Sequence, residues 1–240
     1  MLKKFAEEWR VPKDSSRQAS SFSLTELVAD RMPKSAKVLD LGCGIGASAD
    51  FFQKILPGAQ WIGLDIDESP EVAARTRTGV EFHSFDGINI PFADESFDLI
   101  FSNQVLEHVR HPAELLKEAR RVLKPAGVMV GSTSQLEPYH SYSIRNYTPY
   151  GFRLMLEEAG LHLEEIRPGI DSLTLITRLG LGRPRFFTRW FRKESPLNKL
   201  ISLAGKLTRK SPAEINVIKL IFCGQFSFVA RKGANHVSEQ

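Results

Sequence analysis

The chain has 240 residues, of which 42% are hydrophobic and 25% are charged, and its formal net charge is +4. This composition is typical of a globular protein with room for one large domain. The two cysteines, Cys43 and Cys223, exclude a disulfide framework and a thiolate metal cage. The first ten residues lack the apolar core of a signal peptide, and no apolar run is long enough to cross a membrane. A cytoplasmic location is therefore expected.

Residues 1–34 are predicted to form an N-terminal helical extension. Phe5 and Trp9, four residues apart, indicate a short first helix. A second helix is expected to begin at Ser23 as its N-cap, with Glu26 three residues later as the partner of a capping box. The extension precedes the first predicted strand.

A glycine-rich turn organises the rest of the chain. The sequence VLDLGCGIG over 38–46 combines a short apolar run, which predicts a buried strand, with three glycines that predict a tight turn before a helix. A ligand can approach the backbone closely at glycines, and the helix start offers unpaired N–H groups. The turn therefore predicts a nucleotide-type site. Since Gly42, Gly44 and Ala47 also fit the dinucleotide fingerprint, the turn alone leaves the ligand open.

Polar residues follow the next predicted strands. Asp65 ends a strand that begins at Trp61, where a carboxylate can accept from both hydroxyls of a ribose. Asp86 and Gly87 follow the third strand, and Asn103 lies at the end of the fourth. Ligands of open parallel sheets bind outside the carboxyl ends of the strands. These side chains are therefore expected to face one crevice.

The remaining elements alternate between helix and strand, which predicts a mostly parallel sheet covered on both faces. The expected elements are a helix over 112–123, a strand over 128–132, a helix beginning at Thr148-Pro149, a strand over 161–167, and one long strand or hairpin over 217–231. Gly224 would interrupt the last of these.

Taken together, these motifs resemble those of a class I S-adenosylmethionine-dependent methyltransferase of the small-molecule type (methyltransferase domain 11-like). VLDLGCGIG is similar to the family's first motif, GLDID over 63–67 to its second, and FDGINIPFADESFDLI over 85–100 to its third and fourth. VLEHV and RVLKPAGVMV resemble the segments around the fifth strand. The likeness covers about residues 35–168. It implies a Rossmann-like, doubly wound α/β fold whose seven-stranded sheet is mostly parallel with an antiparallel last strand.

The resemblance also implies S-adenosylmethionine as cofactor and S-adenosylhomocysteine as product. The glycines Gly42, Gly44 and Gly46 would border the methionine moiety and the ribose, and Asp65 would hold the ribose hydroxyls. The other implied contacts are Asp86 with the adenine amino group, Asn103 beside the sulfonium and Asp40 with the amino group of the ligand, and the predicted site is completed by Cys43, Ile66 and Gly87.

Two other interpretations share the first half of the chain. One is a nicotinamide-dependent oxidoreductase, which the block from Asp86 to Asp98 disfavours because it fits an adenine pocket and has no role in dinucleotide binding. The other is a protein of the same fold that binds the cofactor or a partner without chemistry. Since every expected ligand-binding position is filled, a methyltransferase enzyme is preferred.

Two histidines are candidate catalytic residues. Methyl transfer is an in-line displacement, and a hydroxyl acceptor needs a base, whereas a carbon or nitrogen acceptor need not. His140 is the candidate general base, and His108 in VLEHV resembles a position next to the methyl-transfer site. O-methylation is therefore preferred to C- or N-methylation. No pair of histidines or cysteines has the spacing of metal ligands, so no metal is expected.

All four tyrosines fall in one segment over 136–152, together with His140 and Arg145. Amphipathic aromatic rings above a strand end are what a substrate pocket would use. The predicted substrate residues are Tyr139, Tyr142, Arg145 and Tyr147.

A basic segment that the family core does not require lies over 169–216, before the final strand or strands over 217–232. Between residues 178 and 210 it has ten Lys or Arg residues and one acid, Glu194, and its apolar residues recur at helical spacing. Three alternatives fit: a lid that buries its apolar face on the core, a peripheral membrane helix on the inner face of a membrane, or, less well, a nucleic-acid platform. The acceptor is therefore expected to be a small molecule or a lipid- or glycan-linked group, and nucleic acid is unlikely.

Overall fold

A single seven-stranded sheet forms the centre of the protein in a computed structural model that describes residues 1–233. The strands are β1 (Lys37–Leu41), β2 (Gln60–Ile66), β3 (Glu81–Phe85), β4 (Phe97–Asn103), β5 (Leu123–Ser134), β6 (Leu161–Pro168) and β7 (Gln225–Lys232). Their order is β3-β2-β1-β4-β5-β7-β6, and only β7 runs antiparallel to its neighbours. The Rossmann-like, doubly wound sheet with an antiparallel last strand is therefore confirmed.

Helices cover both faces of the sheet. They are α1 (Leu2–Glu8), α2 (Ser21–Ala29), α3 (Ser48–Ile55), α4 (Pro70–Ala73), α5 (Pro112–Val122), α6 (Pro149–Glu158), α7 (Ser172–Gly180), α8 (Pro196–Leu207) and α9 (Pro212–Phe222), with 3₁₀ helices over Leu106–His108 and Arg185–Phe191. Successive side chains of a strand point to opposite faces. Accordingly, Val38 of β1 packs in the cluster that contains α2 and α3, and Leu39 packs in the cluster that contains α5, α6 and α9.

The second helix begins earlier than expected. Ser20, and not Ser23, is the N-cap of α2: its side chain accepts from the backbone N–H of Ser23, and the Ser23 hydroxyl in turn accepts from the backbone N–H of Ser20 at 2.9 Å. The predicted capping box with Glu26 is therefore wrong. A serine at the third helical position is short enough to reach back to the cap, and this choice moves Ser21 into the first turn of the helix.

The expected strand over 217–222 is also wrong, because these residues belong to α9. Ser211 and Glu214 form a capping box, and Pro212 occupies the first helical position, which together start a helix. The apolar run that follows is buried on the sheet as a helix, since short apolar runs do not by themselves distinguish a buried helix from a strand. The helical segment thus continues to Phe222, and only β7 returns to the sheet. None of the helices within residues 1–233 is long and apolar enough to cross a membrane.

Candidate cofactor and methyl-transfer site

The carboxyl ends of β1 to β4 meet at one edge of the sheet because these strands are parallel. The structure brings the predicted cofactor residues together there: the glycine turn follows β1, Asp65 and Ile66 end β2, Asp86 and Gly87 follow β3, and Asn103 ends β4. These positions are far apart in sequence and share one crevice, as expected for ligand sites of open parallel sheets.

The glycine turn is held against β2 by its backbone. The N–H groups of Gly42 and Cys43 donate to the carbonyl of Leu64 at 2.8 and 3.2 Å. Gly42, Gly44 and Gly46 all have positive φ, at 75°, 51° and 78°, where glycine is strongly preferred. A Cβ on Gly42 would also lie 2.4 Å from a methyl of Val105. The turn therefore depends on glycine for both conformation and close packing.

Asp65 and Ile66 form the part of the site predicted to hold adenosine. The carboxylate of Asp65 accepts from the backbone N–H of Gly44 at 2.6 Å and from that of Ile66 at 2.8 Å, which fixes it beside the turn. The side chain of Ile66 is 41% exposed, and its methyl would lie 3.7 Å from a Cβ on Gly87. A flat apolar surface beside a glycine suits a planar base.

Asp86 is exposed and is held in a tight turn. It accepts from the backbone N–H groups of Ile88 and Asn89 at 2.8 and 2.7 Å, and from the amide of Asn89 at 2.6 Å. Hydrogen bonds from Asn89 and from these backbone groups lower its pKa, so it is a carboxylate at neutral pH. It remains the predicted acceptor for an exocyclic amino group.

Asp40 and Cys43 lie beneath the turn and are buried, with residue exposures of 3% and 8%. Asp40 accepts a short hydrogen bond from Ser48, and the indole N–H of Trp61 donates to the same hydroxyl at 2.9 Å. Burial raises the pKa of Asp40 to about 7, and burial also raises the pKa of the Cys43 thiol to about 12. Cys43 is thus a neutral, buried thiol, and its backbone N–H and carbonyl are hydrogen-bonded to Leu64 and Gly46.

The N-terminal extension contributes a residue that sequence patterns did not indicate. Ser21, in the first turn of α2, donates to the side-chain oxygen of Asn103 at 2.6 Å, and Ser132 of β5 donates to the same oxygen at 3.1 Å. Ser21 is fully buried. The side chain predicted to lie beside the sulfonium is therefore oriented from two directions.

Arg75, which sequence patterns also did not indicate, contacts the glycine turn. Arg75 donates to the carbonyl of Gly44 from Nε at 3.1 Å and from Nη2 at 2.8 Å, and its guanidinium stacks 3.9 Å from the ring centre of Phe82. A Cβ on Gly44 would lie 3.4 Å from the side chain of Glu71 in α4. The short α4 segment thus covers the glycine turn.

The two predicted catalytic histidines lie side by side. The ring centres of His108 and His140 are 5.4 Å apart and the rings are nearly perpendicular. Both are half-buried, and burial, followed by the charge of His140, lowers the pKa of His108. Val105, which packs against Gly42, precedes the same 3₁₀ helix that carries His108. The histidine pair is therefore adjacent to the cofactor turn.

Two carboxylates join this pair, and neither was singled out from sequence. Glu107 is fully buried and accepts from the hydroxyls of Thr133 and Ser134 at 3.0 and 3.1 Å. Burial raises its pKa. The carboxylate of Glu137 lies 3.7 Å from Nδ1 of His140. Local spacing could not indicate this group, because His140 comes from the loop after β5 and meets Glu107 and His108 only in the folded chain.

The predicted substrate residues divide into two kinds. Tyr139 and Tyr142 are exposed at 69% and 77%, in the loop that also carries His140. Tyr147 instead donates from its hydroxyl to the carbonyl of Leu106 at 2.9 Å, and burial raises its pKa to about 12. Arg145 hydrogen-bonds with Tyr147 and donates to the carbonyl of Arg110 at 2.9 Å. Tyr147 and Arg145 therefore brace the loop that carries His108.

The crevice fits S-adenosylmethionine at each end. The glycine turn, which a Cβ would fill, the carboxylate of Asp65 and the side chain of Ile66 at the end of β2 are compatible with the amino acid, the ribose and the base in turn. Fold and site together resemble those of the class I, S-adenosylmethionine-dependent methyltransferases. The profile of the methyltransferase domain family matches residues 39–131. Residues 39–131 are therefore similar to a methyltransferase domain, and the geometry of the site is compatible with S-adenosylmethionine as its cofactor.

Curated relatives with methyltransferase names are similar to part of the chain. A protein of Mycolicibacterium smegmatis with the name "Probable S-adenosylmethionine-dependent methyltransferase" is 31% identical over 140 residues, which are 53% of this chain and 52% of the relative. The phthiotriol/phenolphthiotriol dimycocerosates methyltransferase 1 of Mycobacterium ulcerans is 32% identical over 97 residues, covering 39% of this chain and 36% of that protein. The chain thus spans about half or less of the length of these relatives.

The fold is shared over most of the chain. The crystal structure of an S-adenosylmethionine-dependent methyltransferase from Mesorhizobium loti superposes with a TM-score of 0.53 at 18% identity, covering 89% of this chain and 98% of the other. At this identity the likeness shows the fold and does not identify the acceptor.

Proposed function

We propose that this chain transfers the methyl group of S-adenosylmethionine to an oxygen atom of a small-molecule or lipid- or glycan-linked acceptor. One observation carries the proposal: a cluster of two imidazoles and two carboxylates lies beside the glycine turn, at the end predicted to hold the sulfonium. When bound, the cofactor supplies an electrophilic methyl carbon. An oxygen acceptor needs to lose a proton, and this cluster is the group that can take it.

The residues of the chain divide the work. Asp65 would hold the ribose, Ile66 and Gly87 the base, and Asn103, oriented by Ser21, the sulfonium end. Tyr147 and Arg145 hold the loop that carries His108. Tyr139 and Tyr142, exposed in the loop that carries His140, would contact the acceptor and exclude water. C- or N-methylation need not use the His108 and His140 pair as a base.

The surface beside the crevice favours an acceptor at a membrane. Pro168 at the end of β6 is level with Thr133 of β5, since both pair with Phe226 of β7. Helix α7 therefore leaves the sheet at the same edge as the site. Two helices of the segment have exposed apolar faces: Leu173, Ile176 and Leu179 on α7, and Leu200, Leu203 and Leu207 on α8. A lid that buries its apolar face on the core would not leave these residues exposed.

An anionic bilayer is the partner that these helices fit. The exposed leucines and Ile176 stand among ten cations and one acid between residues 178 and 210, a pattern that places apolar side chains in lipid and cations on headgroups. The similarity to a dimycocerosate methyltransferase supports a lipid-linked acceptor. We therefore propose that the segment over 172–207, which contains α7 and α8, lies at the surface of a membrane, beside the mouth of the crevice.

Calorimetric titration tests the cofactor and the reaction class. The purified chain is titrated with S-adenosylhomocysteine, and with NAD and NADP in parallel. We expect saturable binding of S-adenosylhomocysteine alone, and its loss in Asp65→Ala. Binding of a nicotinamide cofactor instead would overturn the proposal.

The acceptor class is tested by transfer of label. The chain is incubated with methyl-tritiated S-adenosylmethionine and a membrane lipid extract of its own source organism. We expect tritium in the organic phase with the wild type and at least a tenfold loss with His140→Ala. If label reaches only water-soluble material, the lipid acceptor is wrong and a small-molecule acceptor replaces it.

A further inference from the structure

The carboxylates of Glu107 and Glu137, beside the histidine pair, have too few hydrogen-bond donors between them. Ser134 has one hydroxyl hydrogen, yet its oxygen lies 3.1 Å from Glu107 and 2.7 Å from Glu137. With its amide in the orientation that satisfies both ends, Gln104 donates from one nitrogen to Glu107 at 2.9 Å and to Glu137 at 3.2 Å. Two largely buried carboxylates that share one hydroxyl and one amide as donors repel each other. A positive charge between them would therefore stabilise both.

The two imidazoles are oriented as metal ligands usually are. Nδ1 of His140 lies 3.4 Å from the carbonyl of Pro138 and 3.7 Å from the carboxylate of Glu137, which suits it as the donor nitrogen and leaves Nε2 for another partner. One ring nitrogen of His108 hydrogen-bonds to the backbone of Tyr142. Histidines that bind metals almost always donate their second N–H to a carbonyl or carboxylate in this way.

We propose that Glu107, His108 and His140 form a binding site for one divalent transition-metal ion of the zinc type. Their ligand atoms all lie within 4.8 Å of one another, and binding of one ion would require the two half-buried rings to rotate so that these separations shorten. Two imidazoles and one carboxylate are the donor set of catalytic zinc and of non-haem iron(II), and this set leaves coordination positions open.

This inference rests on the proposed function and deepens it, because it says how the cluster takes a proton from the acceptor. A hydroxyl bound to the ion loses its proton more readily, and the proton passes to Glu137. The oxygen then forms the new bond to the methyl carbon while the bond between that carbon and sulfur breaks. Both electrons of the broken bond stay on sulfur, which leaves S-adenosylhomocysteine.

Cobalt(II) is a probe of this site that needs no activity. The full chain, stripped with a chelator, is titrated with CoCl₂, and the visible d–d absorption and the heat of binding are recorded. We expect one saturating site with absorption typical of nitrogen ligands and displacement by one equivalent of Zn²⁺. His108→Gln and His140→Gln are each expected to weaken binding by at least tenfold. His162→Gln, which alters an exposed histidine of β6, is the matched control and should leave binding unchanged.

The outcomes separate this inference from the proposed function. S-adenosylhomocysteine titrated into the same variants reports whether they are folded and bind the cofactor. If the chain binds S-adenosylhomocysteine but takes up no cobalt, or if the double variant His108→Gln/His140→Gln takes it up as well as the wild type does, the metal site is wrong and methyl transfer stands. If cobalt binds at these residues but S-adenosylhomocysteine does not, the metal site stands and the proposed function is wrong.

Discussion

Ser21 donates a hydrogen bond of 2.6 Å to the side-chain oxygen of Asn103, which lies 82 residues later in the sequence. The contact joins the first turn of α2 to the end of β4, at the centre of the crevice. Ser21 is fully buried and Asn103 is exposed, so the hydrogen bond lies at the boundary between the core and the site. The N-terminal extension is thus part of the candidate site rather than an appendage of the core.

Removing this hydroxyl should weaken cofactor binding. In Ser21→Ala the oxygen of Asn103 loses a partner worth about 1 kcal/mol, so we expect the Kd for S-adenosylhomocysteine to rise about fivefold by calorimetry. Ser23→Ala is the matched control: it removes the partner of the Ser20 cap and should lower the melting temperature without changing the Kd of the folded protein. An unchanged Kd in Ser21→Ala would show that Asn103 needs no support from α2.

Gly42 should tolerate no side chain, and Gly79 provides the comparison. Both have positive φ, at 75° and 78°, but a Cβ on Gly42 would lie 2.4 Å from Val105, whereas one on Gly79 would meet no atom within 4 Å. Gly79→Ala is expected to cost about 1 kcal/mol of unfolding free energy through its backbone alone. Gly42→Ala should cost more in chemical denaturation and should also abolish S-adenosylhomocysteine binding. Equal costs in the two variants would refute the packing of Val105 on the turn.

Asp40 should give the stability of the free protein a characteristic pH dependence. Its folded pKa of about 7 lies above its ordinary value of 3.8, so between these values the folded chain binds more protons than the unfolded chain. Stability therefore falls as pH rises through this window, by about 1 kcal/mol per pH unit from this group. Urea denaturation from pH 4 to pH 7 should show a smaller loss for Asp40→Asn than for the wild type.

Asp86→Asn is the control for that series. The pKa of Asp86 is lowered in the folded protein, so any stabilisation from its charge is present above its ordinary pKa and lost only at more acidic pH. We expect its curve to parallel that of the wild type between pH 5 and pH 7. If Asp40→Asn also runs parallel to the wild type, its carboxyl is not buried as the structure shows.

Glu194, the one acid between residues 178 and 210, should be essential for stability. Lys219 of α9 is fully buried and pairs closely with Glu194 and with the carbonyl of Ser16. Glu194→Gln leaves this ammonium group without its counter-charge and is expected to destabilise the protein by about 3 kcal/mol in urea. Lys219→Met removes the charge and keeps the volume, so it should cost less. The opposite order would mean that the pair is not desolvated.

Vesicle sedimentation should separate a membrane surface from a lid. We expect the wild type to co-sediment with phosphatidylglycerol vesicles at low salt and to remain in the supernatant with neutral phosphatidylcholine vesicles, because headgroup charge attracts the cations. Leu203→Glu should reduce sedimentation severalfold. Leu27→Glu, on α2, is the matched control, since both leucines are 57% exposed. A wild-type chain that stays in the supernatant with anionic vesicles would contradict the membrane proposal.

The sequence alone was sufficient for the class of fold and for the type of most elements, and its list of cofactor positions stays a prediction. Buried parallel strands have short apolar runs, glycines occur where φ is positive, and polar residues follow the strand ends. Each of these features depends on neighbouring residues and can be recognised along the sequence. The same locality explains the errors. Whether Ser20 or Ser23 caps α2, and whether Val217 begins a strand or lies within a helix, depends on hydrogen bonds and burial that propensity does not determine.

Only the tertiary structure decided which side chains work together. Ser21 with Asn103, and Glu107 with His140, are contacts between segments far apart in the chain, and nothing in their spacing marks them. The exposure of the apolar faces of α7 and α8 is likewise a property of the packed molecule, because helical spacing shows that a face exists and not what covers it. The cofactor half of the site is built from strand ends and was visible in sequence, whereas the acceptor half is built from loops that meet only on folding.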